Sequence, residues 1–263
     1  MRIGKSNFQN KTYVMAIVNL TPDSFWKMSR NDEYTVLKTV ERAITDGASV
    51  IDLGAQSTRP GYTEVGAQCE ISRLERPLRL IKDNFDIPVS VDTYFPECAD
   101  FALGAGADMI NDVWGLTRGN MAQTVAKHGA SVCIMHNAAN LLSGDIFESI
   151  LSFLSKSVSV ALDAGISRDA ICLDGGIGFA KNKEQNFELL NGYSRLSTLG
   201  YPLLLGTSRK SMFGGNPEDR LEKTLESTKL AVRQGVLFVR VHDVKENVLA
   251  IEEEYERNIN SRS

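Results

Sequence analysis

Polar and ionisable residues recur directly after short apolar runs along the chain. Asp92 follows PVSV, Asn111 follows DMI and Asp174 follows AICL. With Lys210, these carboxylate and amide groups could form a ring of hydrogen-bond acceptors and donors. Such a ring suits a flat heterocycle that offers an amino-amidine edge to a carboxylate. These positions therefore predict a binding site for a small, hydrogen-bond-rich heterocycle.

A second set of residues offers cations and amides. Arg240 ends the last apolar run, and Asn19, Arg59 and His242 come after apolar runs. Guanidinium, imidazole and amide groups are suited to phosphate or diphosphate oxygens. The segment Ser208–Ser211 could add backbone N–H groups if a helix begins at Pro217 or in a short turn before it. We therefore expect an anion to bind beside the heterocycle.

The elements that must position these groups alternate regularly. Eight apolar runs are Tyr13–Val18, Ser49–Leu53, Pro88–Val91, Asp108–Ile110, Ser131–Met135, Ala170–Leu173, Pro202–Leu205 and Val236–Arg240. Their length and β-branched content predict buried parallel strands. The helical patterns between them are Tyr34–Asp46, Glu64–Asn84, Pro96–Ala105, Met121–His128, Asp145–Ala164, Lys183–Leu199, Glu218–Gln234 and Lys245–Tyr255.

Glycines mark the predicted return from helix to strand. Gly47, Gly106, Gly129, Gly165, Gly200 and Gly235 follow helical patterns and could adopt the left-handed conformation. Eight strand–helix units favour an α/β fold of the closed (β/α)8 TIM-barrel type over an open doubly wound sheet. The carboxyl ends of the strands then share one face, which explains how the polar residues converge. Asp52, inside a strand, reads as a structural buried carboxylate bonded to neighbouring loops.

Composition limits the class of protein. The chain has 263 residues, 43% of them hydrophobic and 24% charged, with a net charge of −4. Without a linker or low-complexity stretch, residues 1–263 are expected to form one domain with a core at about 12–257. The mildly acidic balance argues against general nucleic-acid binding. The lack of a long apolar run argues against a membrane span, and the absence of a signal segment and of zinc-like cysteine spacing predicts a cytoplasmic protein.

Seven motifs together resemble the dihydropteroate synthase family. They are Asn19-Leu-Thr-Pro-Asp-Ser-Phe25, Ser57-Thr-Arg-Pro-Gly61, Ser90-Val-Asp-Thr93, Ile110-Asn-Asp112, Asp174-Gly-Gly-Ile-Gly-Phe179, Gly206-Thr-Ser-Arg-Lys210 and Arg240-Val-His-Asp243. The resemblance implies a homodimeric TIM barrel of folate biosynthesis. It implies condensation of 6-hydroxymethyl-7,8-dihydropterin diphosphate with p-aminobenzoate to 7,8-dihydropteroate and pyrophosphate, with Mg²⁺ on the diphosphate.

The resemblance also implies roles for individual residues. The pterin would be held by Asp92, Asn111, Asp174, Gly206 and Lys210, with Met135 and Phe179 packed near it. The diphosphate would be held by Asn19, Arg240 and His242, with Asn19 close to the metal, and Thr58, Arg59 and Pro60 would belong to a mobile loop. Ser211 would meet the p-aminobenzoate carboxylate. Catalysis would fall to Asp174, Lys210, Arg240, His242 and Arg59.

Three segments depart from the family pattern, one of them after Met135-His136-Asn137, where the common Arg-Gly continuation is missing. The first loop reads Trp26-Lys27-Met28-Ser29-Arg30, where the family commonly has Ser-Asp-Gly-Gly. This change raises the question of how that loop closes over p-aminobenzoate. The strand-six turn reads Asp174-Gly175-Gly176 in place of Asp-Pro-Gly, which should loosen it.

Two other functions compete with the synthase. A pterin-binding methyltransferase on the same barrel would keep the carboxylates but would have no use for the anion-binding motifs. A non-catalytic pterin-binding paralogue is suggested by the altered first loop, whereas the intact set of binding residues argues against it.

Overall fold

The computed structural model describes residues 1–20, 30–56, 64–137 and 145–260. Two short strands form an antiparallel hairpin near the start, β1 (Arg2–Ile3) and β2 (Ser6–Asn7). The remaining strands are β3 (Tyr13–Asn19), β4 (Val50–Gly54), β5 (Val89–Asp92), β6 (Met109–Asp112), β7 (Ser131–Met135), β8 (Ile171–Asp174), β9 (Leu203–Leu205) and β10 (Phe238–Val241). The bounds of each of these eight strands lie within two residues of those of a predicted apolar run.

The helices follow the predicted alternation. They are α1 (Arg30–Thr45), α2 (Ala67–Asn84), α3 (Pro96–Gly104), α4 (Met121–Lys127), α5 (Ile146–Asp163), α6 (Lys183–Asn191), α7 (Leu221–Arg233) and α8 (Val244–Asn260). Short 3₁₀ segments also occur, among them Tyr193–Leu199, Ser211–Phe213 and Pro217–Arg220. No helix in the described ranges is long and apolar enough to cross a membrane.

Strands β3 to β10 close into a parallel barrel in which β10 pairs with β3. The predicted (β/α)8 architecture is therefore confirmed, and the open doubly wound sheet is excluded. The six glycines expected after the helices all have positive φ, between 60° at Gly129 and 103° at Gly106. Their left-handed conformation ends each helix and returns the chain to the amino end of the next strand.

One predicted helix is divided. The pattern Lys183–Leu199 gives α6 up to Asn191, and the chain continues as a 3₁₀ segment from Tyr193. Glycine is a poor residue for a helix interior, and Gly192 lies against Phe147: an added Cβ would stand 2.6 Å from that ring. The break turns Tyr193 into the protein, where its side chain is fully buried.

Side chains along each strand point alternately toward the helices and into the barrel. Outward residues such as Val14, Ile51 and Val132 pack against the helices in the main apolar core. Inward residues near the amino ends of the strands form a second apolar cluster of Met15, Val50, Met109, Cys133, Cys172, Leu204 and Phe238. The N-terminal hairpin closes this end, with Phe8 edge-on to Phe238 at 5.1 Å. The inward residues at the opposite end are polar.

Candidate active site

The strand ends bring the predicted polar residues onto one face. Asp92 pairs in register with Asn111, and Met135 pairs with Asp174. Gly54 lies between Asn19 and Asp92 in the same row. An added Cβ on Gly54 would lie 3.4 Å from Asn19 Oδ1, so this glycine leaves room for the Asn19 amide. The convergence expected from the barrel is therefore present.

Arg240 is tied to two carboxylates. Its Nε donates to Asp52 Oδ2 and its Nη2 donates to Asp92 Oδ2, both at 2.6 Å. The prediction that Asp52 bonds to neighbouring loops is wrong, because its strong partner is this strand-end guanidinium. Asn111 Nδ2 adds a long contact of 3.5 Å to Asp52 Oδ2. Asp52, Arg240 and Asp92 thus form a row inside the barrel, which we call the central ion-pair row.

The charges in this row are perturbed by burial. Burial raises the pKa of Asp92 to about 7, although Arg240 opposes the shift; Asp52 adds to it. The pKa of Arg240 is raised because the attraction of the two carboxylates exceeds the effect of burial, so the guanidinium stays charged. Asp92 Oδ1 is buried without a hydrogen-bond partner among the described residues. An N–H donor of a bound heterocycle would satisfy that oxygen, since buried acceptors are rarely left unpaired.

Asp174 is held by one oxygen only. Its Oδ1 lies 2.7 Å from the Gly176 N–H donor and 3.0 Å from the hydroxyl of Tyr193. Its Oδ2 faces Gly206, where an added Cβ would stand 3.9 Å from Oδ2 and 4.0 Å from Arg240 Cβ. Asp174, Gly206 and Arg240 therefore line one space, which the lack of a side chain at Gly206 keeps open.

Gly175 stands where the family pattern has proline, and its backbone is held by Tyr193. The Gly175 N–H donates to the Tyr193 hydroxyl at 2.8 Å, a bond that proline could not make. Leu196, Tyr193 and Leu189 crowd the position, with an added Cβ 2.9 to 3.2 Å from them. The turn that was expected to be loose is thus packed and hydrogen-bonded on the Tyr193 side.

We expect Tyr193→Phe to weaken binding of the heterocycle predicted for this face. The change leaves the Gly175 N–H unpaired and removes a contact from Asp174 Oδ1, and an unpaired buried group costs about 1–3 kcal/mol. Both the free energy of unfolding and the affinity for that heterocycle should fall. Tyr201→Phe is the matched control, because the Tyr201 hydroxyl accepts a bond from Arg168 and Tyr201 lies just before β9, at the opposite end of the barrel. It should lower stability alone; equal affinity for the heterocycle in both variants would contradict the role given to Tyr193.

Lys210 lies over the loop that follows β8. Its ammonium donates to the Ile177 carbonyl and lies 4.8 Å from the centre of the Phe179 ring. Burial lowers the pKa of Lys210 to about 8, while the charge of Asp174 opposes the shift and that of Arg240 adds to it. Phe179 packs against the small cluster that contains Met135. Of these two predicted packing residues, Phe179 therefore borders Lys210 and Met135 lies beside Asp174.

His242 and Lys210 sit on loops that are fastened to each other. Ser208 Oγ accepts from the His242 backbone N–H at 3.2 Å and lies 2.9 Å from His242 Nδ1. If the hydroxyl hydrogen bonds Nδ1, the ring carries its proton on Nε2. The two loops are further joined by Arg209, whose Nε and Nη2 bind the carboxylate of Asp243 at 2.9 and 2.5 Å. This pairing holds His242 and Lys210 at the rim.

Ser211 and Asn19 lie at the exposed edge of the site. Ser211 opens the 3₁₀ segment Ser211–Phe213, and the α-helix begins only at Leu221. The second of the two predicted possibilities, a short turn, is therefore the one observed. Asn19 ends β3 and is exposed. Both residues therefore lie on the side of the site that faces solvent.

The described residues contain no cluster of three His, Cys, Asp or Glu side chains that could hold a metal ion. Mg²⁺ commonly keeps several waters and binds through substrate phosphates with few protein ligands. The exposed Asn19 amide oxygen fits that kind of site. The residues present are therefore compatible with a metal carried by a diphosphate.

Some predicted site residues lie outside the described ranges. They are Thr58, Arg59 and Pro60, together with the altered first-loop residues Trp26 to Ser29. Sequence reasoning missed Tyr193 and Lys181, which fix the site, and assigned Asp52 to the wrong partners. It singled out Ser208 but not the contact of its hydroxyl with His242. The alternation of β4 contained one usable signal, because it places Asp52 on the same inward face as Asp92.

Comparison with known proteins identifies the family. The profile described as "Pterin binding enzyme" matches residues 15–242. The dihydropteroate synthase of Clostridium beijerinckii is 45% identical over 256 residues, which are 94% of this chain and 95% of that protein.

Solved structures agree. The Clostridium difficile dihydropteroate synthase, crystallised in the presence of pteroic acid, has a TM-score of 0.91 and 42% identity, covering 95% of this chain and 98% of that one. The Xanthomonas albilineans dihydropteroate synthase with 4-aminobenzoic acid has a TM-score of 0.88 and 33% identity, covering 95% and 94%. The chain described here therefore belongs to the pterin-binding enzyme family and, within it, to the dihydropteroate synthases, which are transferases of folate synthesis.

Proposed function

We propose that the polar end of the barrel binds 6-hydroxymethyl-7,8-dihydropterin diphosphate and joins it to p-aminobenzoate, giving 7,8-dihydropteroate and pyrophosphate. The pterin lies among Asp92, Asn111, Asp174 and Lys210. The diphosphate lies toward Asn19, Arg240 and His242. The relatives named above favour this reaction over methyl transfer.

One observation carries the placement of the pterin. The buried Asp92 Oδ1 lacks a partner, and it belongs to a carboxylate whose other oxygen is already fixed by Arg240. A pterin presents N–H donors along one edge, and a fixed carboxylate oxygen is the complementary acceptor. Lys210 and Asn111 supply the donors that the pterin carbonyl and ring nitrogens require.

The residues suit a dissociative substitution. The methylene C–O bond of the substrate breaks first, and its electron pair leaves with the diphosphate. Asp174 stabilises the positive charge that spreads over the pterin ring, and Arg240 and His242 stabilise the leaving anion. The p-aminobenzoate nitrogen then forms the new C–N bond and loses a proton. An arylamine is a weak base, so the attack needs no strong general base at the site.

Arg240 has a divided role in this scheme. Its Nε and Nη2 are engaged by the two carboxylates, and the rest of the guanidinium fork remains for the diphosphate. Arg59, on the loop outside the described residues, is proposed to add a second cation, and Ser211 is proposed to bind the p-aminobenzoate carboxylate. Thr58 and Pro60 would shape that loop.

We also propose that Mg²⁺ accompanies the diphosphate, with Asn19 as its protein contact. When bound, the metal would neutralise charge on the leaving group. The proposed assembly is a homodimer, on the strength of the family resemblance. We propose the cytoplasm as its location because the cysteine pattern is typical of a reducing compartment. Sedimentation equilibrium at micromolar concentration should give twice the mass of one chain; a monomer mass would overturn the dimer proposal.

Two ligands, the pterin diphosphate ester and its alcohol, test the division of the site. The hydroxymethyl-dihydropterin alcohol lacks the diphosphate and probes the pterin residues alone. Asn111→Leu should weaken its binding about tenfold, because a hydrogen bond to a buried polar group is lost. His242→Asn keeps an acceptor for Ser208 but removes Nε2, so it should weaken only the diphosphate ester. Calorimetry that showed the opposite pattern would exclude this arrangement.

Pterin affinity should depend on pH through Asp92. Pterin N–H donors need the ionised carboxylate, and the pKa of Asp92 in the empty site is about 7. Below that pH a proton competes with the pterin, so the dissociation constant should rise by up to about tenfold per pH unit. Fluorescence titrations of the alcohol from about pH 5.5 to 7.5 would measure this. The dissociation constant should be independent of pH only above about pH 7. The Asp92→Asn variant should bind the alcohol weakly at every pH.

A further inference from the structure

Lys181 has an environment that differs from that of a surface lysine. It follows the loop after β8, and its ammonium lies 2.9 Å from His136 Nδ1, 3.0 Å from the Gly176 carbonyl and 3.1 Å from the Phe179 carbonyl. An ammonium has three donors, so these three acceptors satisfy it completely. Burial lowers the pKa of Lys181 to about 7, with Asp174 opposing the shift and Lys210 adding to it.

His136 is built to accept this bond. The residue follows β7 and is 0% exposed. Burial, reinforced by the Lys181 charge, lowers the pKa of His136 to about 3, so the ring is neutral. With Nδ1 accepting from Lys181, the ring proton lies on Nε2, which is buried and has no hydrogen-bond partner among the described residues. The Phe153 ring lies edge-on to the imidazole, with 5.0 Å between the ring centroids. The His136 backbone N–H donates to the Asp174 carbonyl at 2.8 Å.

The segment after β7, at His136, and the loop after β8, at Gly176, pack directly against each other. Gly176 has φ of +70°, and an added Cβ there would overlap the His136 carbonyl oxygen. Lys181 therefore joins the end of β7 to a loop that cannot shift toward it. We call residues 175–180 the β8 loop.

The β8 loop in turn holds two proposed pterin-binding groups. Its Ile177 carbonyl and Phe179 ring contact the Lys210 ammonium, and an added Cβ on Gly178 would stand 2.9 Å from Lys210 Cδ. Its Gly176 N–H fixes Asp174 Oδ1. Lys181 binds the carbonyl of Gly176, the residue before Ile177, and the carbonyl of Phe179. It therefore holds the part of the loop that contacts Lys210.

We propose that Lys181 is a positioning residue for the pterin site, acting through His136 and the β8 loop on Lys210 and Asp174. It touches no substrate in this arrangement. The inference rests on the proposed placement of the pterin at Asp174 and Lys210. Residues that do not touch the ligand can fix the orientation of those that do by hydrogen bonding, and Lys181 would act in this way.

Lys181→Met tests the proposal against Lys183→Met. Lys183 is exposed at the start of α6, two residues away, and provides the same chemical change. We expect Lys181→Met to weaken binding of the dihydropterin alcohol about tenfold to a hundredfold, because a small displacement of contacting groups is costly. Lys183→Met should bind like the wild type, and Lys181→Arg should recover part of the loss. Wild-type affinity in Lys181→Met would overturn the proposal.

A second pair keeps the test decisive if Lys181→Met folds poorly. In His136→Asn the amide oxygen replaces Nδ1 as the acceptor, whereas His136→Leu removes it. Pterin affinity should be retained in the first and lost in the second, and the double variant of His136→Leu with Lys181→Met should be no weaker than the weaker single variant. Equal affinity in the two His136 variants would contradict the proposal.

Two further variants distinguish failure of the positioning role of Lys181 from failure of the proposed function. Asp174→Asn and Lys210→Met, measured with the same alcohol, report on the pterin placement itself. If these two lose affinity while Lys181→Met does not, only the positioning role fails. If all three keep wild-type affinity, the pterin placement fails and the positioning role fails with it.

Discussion

Asp174→Asn is expected to fold normally and to lose about 10²–10³ in kcat. The amide oxygen can keep the contacts of Oδ1 with the Gly176 N–H and the Tyr193 hydroxyl, so the local structure survives. The other position changes from a charged acceptor to an NH₂ donor beside Gly206. The variant therefore removes the negative charge that stabilises the developing pterin cation, which acts in the transition state more than in the ground state.

Steady-state kinetics and thermal melting together check this result. Loss of kcat with an unchanged melting temperature is the expected outcome. Asp163→Asn is the matched control, because Asp163 is exposed at the end of α5, away from the polar face, and should leave both quantities unchanged. Turnover near the wild-type rate in Asp174→Asn would remove Asp174 from the mechanism.

Arg240→Met should give the largest loss of stability among the site variants. The substitution leaves Asp52, which is 0% exposed, and Asp92, which is 6% exposed, without their shared cation. Breaking a buried ion pair on one side costs about 3–5 kcal/mol. For a chain of this size such a loss lowers the melting temperature by roughly 6–20 °C. Activity should be lost as well, because the diphosphate loses its guanidinium.

The pH dependence of that loss has a definite sign. Burial raises the pKa of Asp92 and Arg240 opposes that shift, so without Arg240 the pKa of Asp92 rises further in the folded state. The folded variant then binds more protons than the unfolded chain above about pH 4. The stability deficit should therefore be small near about pH 5 and grow as the pH rises. A deficit that is constant across this range would contradict the charge argument.

The double variant Asp52→Asn with Arg240→Met separates structure from catalysis. Removing one of the two unpaired charges should restore at least about half of the lost free energy of unfolding. It cannot restore a cation for the diphosphate, so turnover should stay as low as in Arg240→Met. Urea denaturation and kinetics on the same preparations measure both. Recovery of turnover in the double variant would show that Arg240 acts only as a counterion for the carboxylates.

The barrel could be predicted because its signals are local and repeated. Each apolar run gives a strand, and each glycine after a helix marks a return to the sheet. The rule that functional groups sit at the carboxyl ends of barrel strands then places Asp92, Asn111 and Asp174 together. Their register in the structure follows from that alternation.

The partners of these residues could not be predicted in the same way. Arg240 and Asp52 are 188 residues apart, and sequence does not show which way a guanidinium turns. The contacts of Tyr193 could not be predicted because the helical pattern Lys183–Leu199 continued through Gly192, where the helix in fact ends. Lys181 lies in a polar stretch and resembles a solvated lysine until the three acceptors around it are seen. The contacts of Arg240 with Asp52 and of Lys181 with His136 join elements that are distant in sequence.

The central claim is that this polar face joins a dihydropterin diphosphate to p-aminobenzoate. Pyrophosphate release, measured with Mg²⁺ and both substrates present and with each omitted in turn, tests it most directly. The account predicts release only when all three are present, with dihydropteroate formed in equal amount. Tight binding of the pterin diphosphate without release that depends on p-aminobenzoate would contradict it and would indicate a non-catalytic pterin-binding protein.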